Sequence, residues 1–350
     1  MKKWLLMTLF FLLAGVSAST AQDRRYSVYG VGFYNLENLF DTIHDAGKND
    51  YQYLPDGTNK WTGLKYRHKL KNMAKVLSEM GTDMLPLVGC AVIGVSEVEN
   101  ARCLTDLCNE PALKARNFKF CHIEGPDKRG VDCALLYNPS LFQVRNTKLI
   151  PYVYENPKDR DQATRGYLTV SGTLGGEHVT VIVCHWPSRF NPSSYREAAG
   201  RQVRAVKDSL QRQDPNVKVI IMGDMNDDPT NKSMTVGLSC KAEIKAVGPK
   251  DMYNPWYNTL VKQHTGTLQY EGKWNLFDQI VMTPNLLHKE GAQDYNTLKF
   301  RKHQVFRRDY LFQKEGKYKG NTLRTHAGGT WLDGYSDHLP TVIYLMKEQR

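Results

Sequence analysis

Short apolar runs rich in Val and Ile constrain the fold of this chain more than any other feature of its sequence. Seven such runs, none longer than six residues, recur from one end to the other: Tyr29–Phe33, Ala91–Val95, Cys133–Tyr137, Val179–Val183, Val217–Met222, Phe277–Met282 and Thr341–Leu345. Runs of this length and composition are typical of β-strands that are buried on one or both faces. The sequence therefore predicts a protein built around extensive β-sheet.

Two segments between these runs have the spacing of amphipathic helices. The first covers Tyr66–Met80 and ends at Gly81. The second begins at Ser194, where Glu197 would complete a capping box, and continues to Leu210. Residues 41–63 are polar and read as a long loop, and we find neither an internal repeat nor a linker. Strands punctuated by helices predict one layered α/β domain with mixed sheets.

The first 21 residues predict a secretory signal peptide. Lys2 and Lys3 precede the apolar run Trp4–Val16, and Ser19–Ala21 is the expected cleavage site. The run is shorter than the roughly 20 residues that a membrane-spanning helix needs, so we expect no stable membrane anchor, with an uncleaved segment as the alternative. We therefore predict a bacterial protein that is secreted or periplasmic, with residues 22–350 as its folded domain.

Charge and cysteine content narrow the class of protein. The chain has 47 Lys and Arg against 36 Asp and Glu, and residues 1–21 hold two of the lysines and no acidic residue, which leaves +9 on the remainder. A basic surface favours polyanionic partners such as nucleic acid.

Cys133 and Cys184 lie in apolar runs and are expected as buried thiols. Four others are close enough in sequence for one or two disulfides, in a pattern left open: Cys90, Cys103, Cys108 and Cys121.

Polar residues stand at the ends of the predicted strands. They are Asn35, Glu97, His185, Asp224, Asn226, Asp278, Asp337 and His338. Taken singly, each has an ordinary structural explanation, since Asp and Asn favour turns for local hydrogen-bonding reasons. Residues at the ends of many strands can, however, converge on one rim of a sheet sandwich, where loops on a rigid scaffold carry chemistry. Together they predict a catalytic site.

The same positions resemble a known family. The segments are Val31–Asn35, Val95–Glu97, His185–Arg189, Gly223–Asn226, Phe277–Ile280 and Ser336–His338. They look like the successive motifs of the endonuclease/exonuclease/phosphatase superfamily, which includes pancreatic deoxyribonuclease, across about residues 28–346. The resemblance implies an α/β four-layer sandwich, with two mixed β-sheets packed face to face and helices outside.

The resemblance also implies a divalent-metal-dependent hydrolase of phosphate esters. Glu97 and Asp337, with Asn35 as a ligand or as an orienting group, would hold Mg²⁺ or Mn²⁺, hard cations that prefer oxygen ligands. His338 would be held by Asp278 as a His–carboxylate dyad.

Three further residues would complete the catalytic set. His185 would donate to the phosphate, and Asn226 would orient the nucleophile. Either Asp224 or His338 would accept the proton of the attacking water, with His338 preferred.

Other features fit the family pattern less closely. Cys184 stands where many relatives carry Asn next to the motif His. Asp132 follows a turn that resembles the family's third motif and could support His185. Arg165 and Arg189 are the candidate substrate-binding arginines.

Motifs of rival chemistries are absent from the sequence. There is no G-x-S-x-G elbow, no H-E-x-x-H zinc motif, no P-loop lysine and no Rossmann glycine fingerprint.

The basic segment Lys299–Arg324 bears on the substrate. It holds nine Lys or Arg against two acidic residues, with five aromatic residues interleaved. This composition suits a nucleic-acid groove, or equally a surface hairpin whose rings pack inward. We favour a secreted nuclease or phosphodiesterase, acting as a monomer. The alternatives are a phosphatase or phospholipase C-type enzyme on inositol phosphates or sphingomyelin, and a non-catalytic polyanion-binding protein.

Overall fold

The computed structural model describes residues 24–160, 162–288 and 294–349, so the predicted signal peptide lies outside the described residues. The strands, in chain order, are β1 (Tyr26–Leu39), β2 (Cys90–Val98), β3 (Lys119–His122), β4 (Asp132–Tyr137), β5 (Phe142–Ile150), β6 (Tyr167–Leu174), β7 (Glu177–His185), β8 (Lys218–Asp224), β9 (Cys240–Lys241), β10 (Met252–Tyr253), β11 (Leu268–Tyr270), β12 (Lys273–Asn275), β13 (Asp278–Met282), β14 (Lys299–Val305), β15 (His326–Ala327), β16 (Thr330–Trp331) and β17 (Thr341–Glu348). All seven apolar runs coincide with these strands, except that Val217 and Phe277 each precede their strand by one residue.

Two large mixed sheets account for most of these strands. The first sheet has the order β14–β17–β1–β2–β4–β3, and the second has the order β5–β6–β7–β8–β13–β10–β9. The pairs β1–β2 and β7–β8 are parallel, whereas most of their neighbours are antiparallel. The hairpins β11–β12 and β15–β16 stand apart from both sheets.

The helices are short or lie outside the sheets. They are α1 (Gly63–Glu79), α2 (Ala101–Asn109), α3 (Pro111–Lys114), α4 (Ser193–Gln213) and α5 (Trp256–Val261). Helix α1 begins after Thr62, whose hydroxyl accepts from the Lys65 amide. The predicted capping box of the second helix is wrong. Pro192 is the residue before α4 and no side chain caps its first turn. Ser194 therefore lies inside that turn, past the position from which a hydroxyl can cap.

Side-chain alternation along the strands produces four layers. On β8, Ile220 and Met222 face the other sheet, while Val219 and Ile221 face α4. On the first sheet, the outward face packs against α1 through residues such as Leu70 and Met73. These layers confirm the predicted α/β sandwich. The sheets approach closely at Gly94, where an added Cβ would lie 2.4 Å from the sulfur of Met222.

All seven cysteines lie in the described part of the chain and all are free thiols, so the disulfides considered from spacing do not form. Cys133 and Cys184 are buried, as predicted. Among the described residues, no helix combines the length and apolar character needed to cross a membrane.

Candidate active site

The strand register brings the predicted site residues to one end of the sandwich. In the second sheet, Asp224 lies opposite His185 on β7 and opposite Asp278 on β13. In the first sheet, Asn35 on β1 pairs with the residue immediately before Glu97 on β2. Side chains from both sheets therefore meet at a single edge.

A break in the β1–β2 pairing aims the Glu97 carboxylate. The strands run past the ends expected from the apolar runs, and their register shifts between Asn35 and Leu39. Glu37, Asn38 and Glu97 all have positive φ angles, of 48°, 57° and 61°, which non-glycine residues rarely adopt. Irregularities of this kind re-aim side chains next to functional sites. The Glu97 carboxylate then accepts from Asn35 Nδ2 at 3.3 Å and from the Asn38 amide at 3.0 Å.

Asn35 orients carboxylates through its amide nitrogen. Besides Glu97, Nδ2 donates to Asp224 Oδ2 at 3.0 Å, while Oδ1 accepts from the Glu37 amide at 2.8 Å. The amide oxygen is thus occupied by the backbone. Of the two roles expected for Asn35, these contacts fit the orienting one better than that of a metal ligand.

Asp224 is buried at the centre of the site. Its Oδ1 accepts from the Asn226 amide at 2.9 Å. Burial raises the pKa of Asp224 to about 6; the nearby His338 opposes this rise and the Asp278 carboxylate adds to it. A carboxylate with this pKa is mostly ionised at neutral pH and still basic enough to accept a proton.

His338 and Asp278 form a close pair. The imidazole Nδ1 and Asp278 Oδ2 are 2.7 Å apart, and both side chains are buried. His338 Nε2 lies 3.7 Å from Asp224 Oδ2 and 4.0 Å from Asp337 Oδ1. Burial by itself would lower the pKa of His338, but the carboxylates of Asp278 and Asp224 outweigh it and raise the pKa well above its ordinary value. The imidazole is therefore held as a cation, with Nε2 directed into the site.

His185 faces the same carboxylates from the other side. Its Nε2 lies 3.6 Å from Asp224 Oδ2 and 3.7 Å from Glu97 Oε1. Its Nδ1 is buried and has no hydrogen-bond partner among the described residues. Burial, together with the charge of Arg165, lowers the pKa of His185 well below its usual range. His185 is thus a neutral imidazole beside the ionised groups.

Asp132 is placed away from this cluster. Its carboxylate bonds His122 Nε2 at 3.0 Å and accepts from the Gly125 amide at 2.9 Å. The reason is that Asp132 opens β4, whose partner strand β3 carries His122. The expectation that Asp132 supports His185 does not match this geometry.

The two candidate substrate-binding arginines already donate hydrogen bonds to other groups of the protein. Arg165 is buried and donates to Asp127 Oδ2 and to the carbonyl oxygen of Trp186. Arg189 donates to the carbonyl oxygen of Asn226 at 3.1 Å and lies over the Phe277 ring at 4.3 Å. Both therefore hold the loops that follow β7 and β8.

Asn226 takes part in the same support. Its φ is 49° and its Nδ2 donates to the Trp186 carbonyl oxygen at 2.9 Å. Before it could orient a nucleophile, as expected from the sequence, this amide would have to exchange that partner.

A group of charges beside Asp337 was missed by the sequence reasoning. Asp337 Oδ2 accepts from Arg324 Nη2 at 2.8 Å, and Arg324 Nε donates to Glu37 Oε1 at 3.0 Å. Lys69 is buried nearby on α1, and burial lowers its pKa to about 8. Burial, together with Asp337, raises the pKa of Glu37 to about 7. The only signal for this group was the membership of Arg324 in the basic segment.

The donor set suits a hard divalent cation. The carboxylates of Glu97, Asp224, Asp278 and Asp337 are linked through His185, His338 and Asn35 by the contacts given above, so the site holds more negative than positive charge. Hard cations bind oxygen donors of this kind. The Glu97 side chain is 15% exposed and is oriented by its hydrogen bond from Asn35, so its carboxylate can be reached by a cation.

A second group of acidic residues lies behind the site. The ligand atoms of Asp41, Glu99 and Cys103 lie within 4.8 Å of one another. Arg102 and Asn100 already bond the Asp41 carboxylate. Arg102 thus neutralises Asp41, and none of the contacts of this group among the described residues involves Asp224, Asp278 or His338.

The basic segment packs partly inward. Phe306 is fully buried, and Arg308 pairs with Asp83 at 2.7 Å. Arg307 lies between the Trp274 and Phe312 rings, 5.1 and 4.6 Å from their centres. Phe306 is therefore core, and three other aromatic residues of the segment pack against the core half-buried. Arg307 is stacked on a hairpin next to His338, because β11 bridges that residue.

Comparisons with known proteins agree with this architecture. The sequence model of the Endonuclease/Exonuclease/phosphatase family matches residues 30–347. A comparison with curated protein sequences gives no match.

Solved structures share the fold at low identity. A family protein from Bacteroides thetaiotaomicron is 15% identical, with 93% of this chain and 100% of that chain covered and a TM-score of 0.56. A mannosyl-6-phosphatase of Bacteroides thetaiotaomicron VPI-5482 is 15% identical, with 91% and 99% covered and a TM-score of 0.55. D. rerio TDP2 complexed with a single-strand DNA product is 14% identical, with 91% and 99% covered and a TM-score of 0.52.

Proposed function

The chain belongs to the endonuclease/exonuclease/phosphatase family, and from this premise we propose that it is a divalent-metal-dependent hydrolase of phosphate esters. The observation that carries the proposal is the convergence of Glu97, Asp224 and the His338–Asp278 dyad at one sandwich edge. Burying the His338–Asp278 pair beside the buried Asp224 carboxylate costs free energy, and in a protein without catalytic activity nothing would offset this cost.

Glu97 would hold the cation, with Asn35 fixing its carboxylate. When bound, a divalent ion supplies positive charge that neutralises the phosphoryl oxygens. Asp224 accepts the proton of the attacking water, because its basicity is preserved while its orientation is fixed by Asn35 and the Asn226 amide. His338 is already held as a cation by Asp278, so it donates from Nε2 to a phosphoryl or leaving oxygen. This assignment replaces the preference for His338 as the base.

The favoured substrate is a nucleic-acid phosphodiester. The sequence without its first 21 residues carries +9, and stacked Arg307 lies on a hairpin next to His338. The second candidate is a phosphomonoester of a sugar or inositol, for which the support is the fold shared with a mannosyl-6-phosphatase.

A release assay separates these candidates. Purified protein would be incubated with plasmid DNA, single-stranded DNA, RNA, a bis-nitrophenyl phosphodiester, sugar and inositol phosphates, and sphingomyelin, each with Mg²⁺, with Mn²⁺ and with EDTA. We expect metal-dependent cleavage of a phosphodiester. Release of inorganic phosphate alone would favour the second candidate, and full activity in EDTA would contradict the metal-dependent mechanism.

A further inference from the structure

Asp337, predicted from the sequence to be a metal ligand with Glu97, has one carboxylate oxygen already bound by another residue. Arg324 Nη2 donates to Asp337 Oδ2 at 2.8 Å. The Asp337 side chain is only 22% exposed, and its other oxygen lies 4.0 Å from His338 Nε2. A cation and a protonated imidazole thus flank both oxygens.

Arg324 is anchored in this position by a buried carboxylate. Its Nε donates to Glu37 Oε1 at 3.0 Å, and the Thr325 amide donates to Glu37 Oε2 at 2.7 Å. The Glu37 side chain is 6% exposed. A buried carboxylate is stabilised by nearby cations, and Arg324 together with Lys69 supplies that charge to Glu37, which holds the guanidinium next to Asp337.

A second cation, Lys69, supports the position of Arg324. Lys69, also buried, donates to Thr325 Oγ1 and to the carbonyl oxygen of Tyr335. It therefore fixes the backbone that presents Arg324. Arg324 therefore places a positive charge directly on Asp337 before any metal binds, and Lys69 holds Thr325, the residue that follows Arg324.

We infer that this enzyme holds a single divalent cation, on the Glu97 side of the site, and that Arg324 supplies at Asp337 the positive charge that a second cation supplies in two-metal hydrolases. In such sites the two ions lie about 3.5–4 Å apart and clamp the attacking and leaving oxygens. Here the Arg324 guanidinium, bonded to both Glu37 and Asp337, takes the place of the second ion. Arg324 is a positioning residue that acts through Asp337, and the inference rests on the proposed metal-dependent function.

The test is the stoichiometry of Mn²⁺ binding, measured on the full chain by calorimetry and by the EPR signal of free Mn²⁺. The wild type should bind about one equivalent. Arg324→Met removes the charge while keeping most of the length, and it should bind about two equivalents. Arg324→Lys keeps the charge and should stay at the wild-type value. Arg324→Met combined with Asp337→Asn should return to that value, because the second ion would then have lost its carboxylate.

A variant that fails to fold would not obscure the result. Glu37→Gln combined with Arg324→Met removes both charged members of the pair. The glutamine oxygen can still accept from the Thr325 amide, and no buried carboxylate is left without Arg324. Arg301→Met, on the exposed face of β14, is the matched surface control. Two equivalents in the wild type, or one in every Arg324 variant, would overturn this inference and leave the proposed function intact. A wild type that binds no Mn²⁺ would overturn both.

Discussion

Separating the His338–Asp278 pair tests the proposed chemistry most directly. Asp278→Asn keeps the shape of the side chain but removes its charge, and His338→Ala removes the imidazole. The two groups are 2.7 Å apart and buried, so little solvent screens their interaction. Because Asp278 Oδ1 has no hydrogen-bond partner among the described residues, its charge is committed to the imidazole.

The expected magnitude follows from the role of the pair. Loss of the orienting carboxylate in a comparable hydrolytic dyad costs about 10⁴-fold in rate. We expect each single variant to lose about 10³–10⁴-fold in kcat/KM, or about 4–5.5 kcal/mol of transition-state stabilisation. Independent residues would then lose about 10⁶–10⁸-fold together. Residues acting as a unit should lose little more than the poorer single variant.

The assay is a double-mutant cycle on a chromogenic phosphodiester at saturating metal. Circular dichroism and a melting curve on each variant check folding. Asp56→Asn, in the exposed loop before α1, is the matched control and should keep wild-type rates. Losses that multiply in the double variant would refute the dyad, and single variants that no longer fold would return both residues to a structural role.

Three other changes probe the remainder of the site. Glu97→Gln should raise the metal concentration needed for half-maximal activity by at least about tenfold to a hundredfold, measured by metal titration. Because burial raises the pKa of Asp224 to about 6, kcat/KM should fall as the pH drops below that value and the base becomes protonated; a rise on acidification would exclude Asp224 as the base. Arg307→Met should weaken single-stranded DNA binding and reduce its log–log salt slope by roughly 0.7, whereas Arg308→Met, which loses an ion pair with Asp83 and a contact with the Phe306 ring, should not. Equal losses on a small phosphodiester would instead assign Arg307 to the chemistry.

The sequence predicted the layers of this fold because burial has a simple periodic signature. Most of the core strands contain an apolar run, and a polar residue next to several of these runs marks the site. Strand β5 was missed because only Phe142 is buried and its other residues, several of them polar, are half-buried or exposed, so it contains no apolar run.

Side-chain partners were predicted less well than positions. Asp132 and Arg165 were assigned from motif order, yet each binds a neighbour, His122 or Asp127, that only the strand pairing identifies. The bond between Glu37 and Arg324 joins residues 287 positions apart. No local pattern encodes such a contact, since it depends on how the two ends of the chain meet in the first sheet.

Because the two sheets approach closely at Gly94, the reaction rate should depend on the spacing between them. Glu97 and His338 enter from the first sheet, whereas Asp224 and Asp278 enter from the second. A methyl group at Gly94 would lie 2.4 Å from the Met222 sulfur and act as a wedge between the two halves. A displacement of about 1 Å can cost on the order of 10²-fold in catalysis while leaving each sheet intact. The rate of hydrolysis should therefore fall when the two sheets separate slightly, before any spectroscopic measure of folded structure changes.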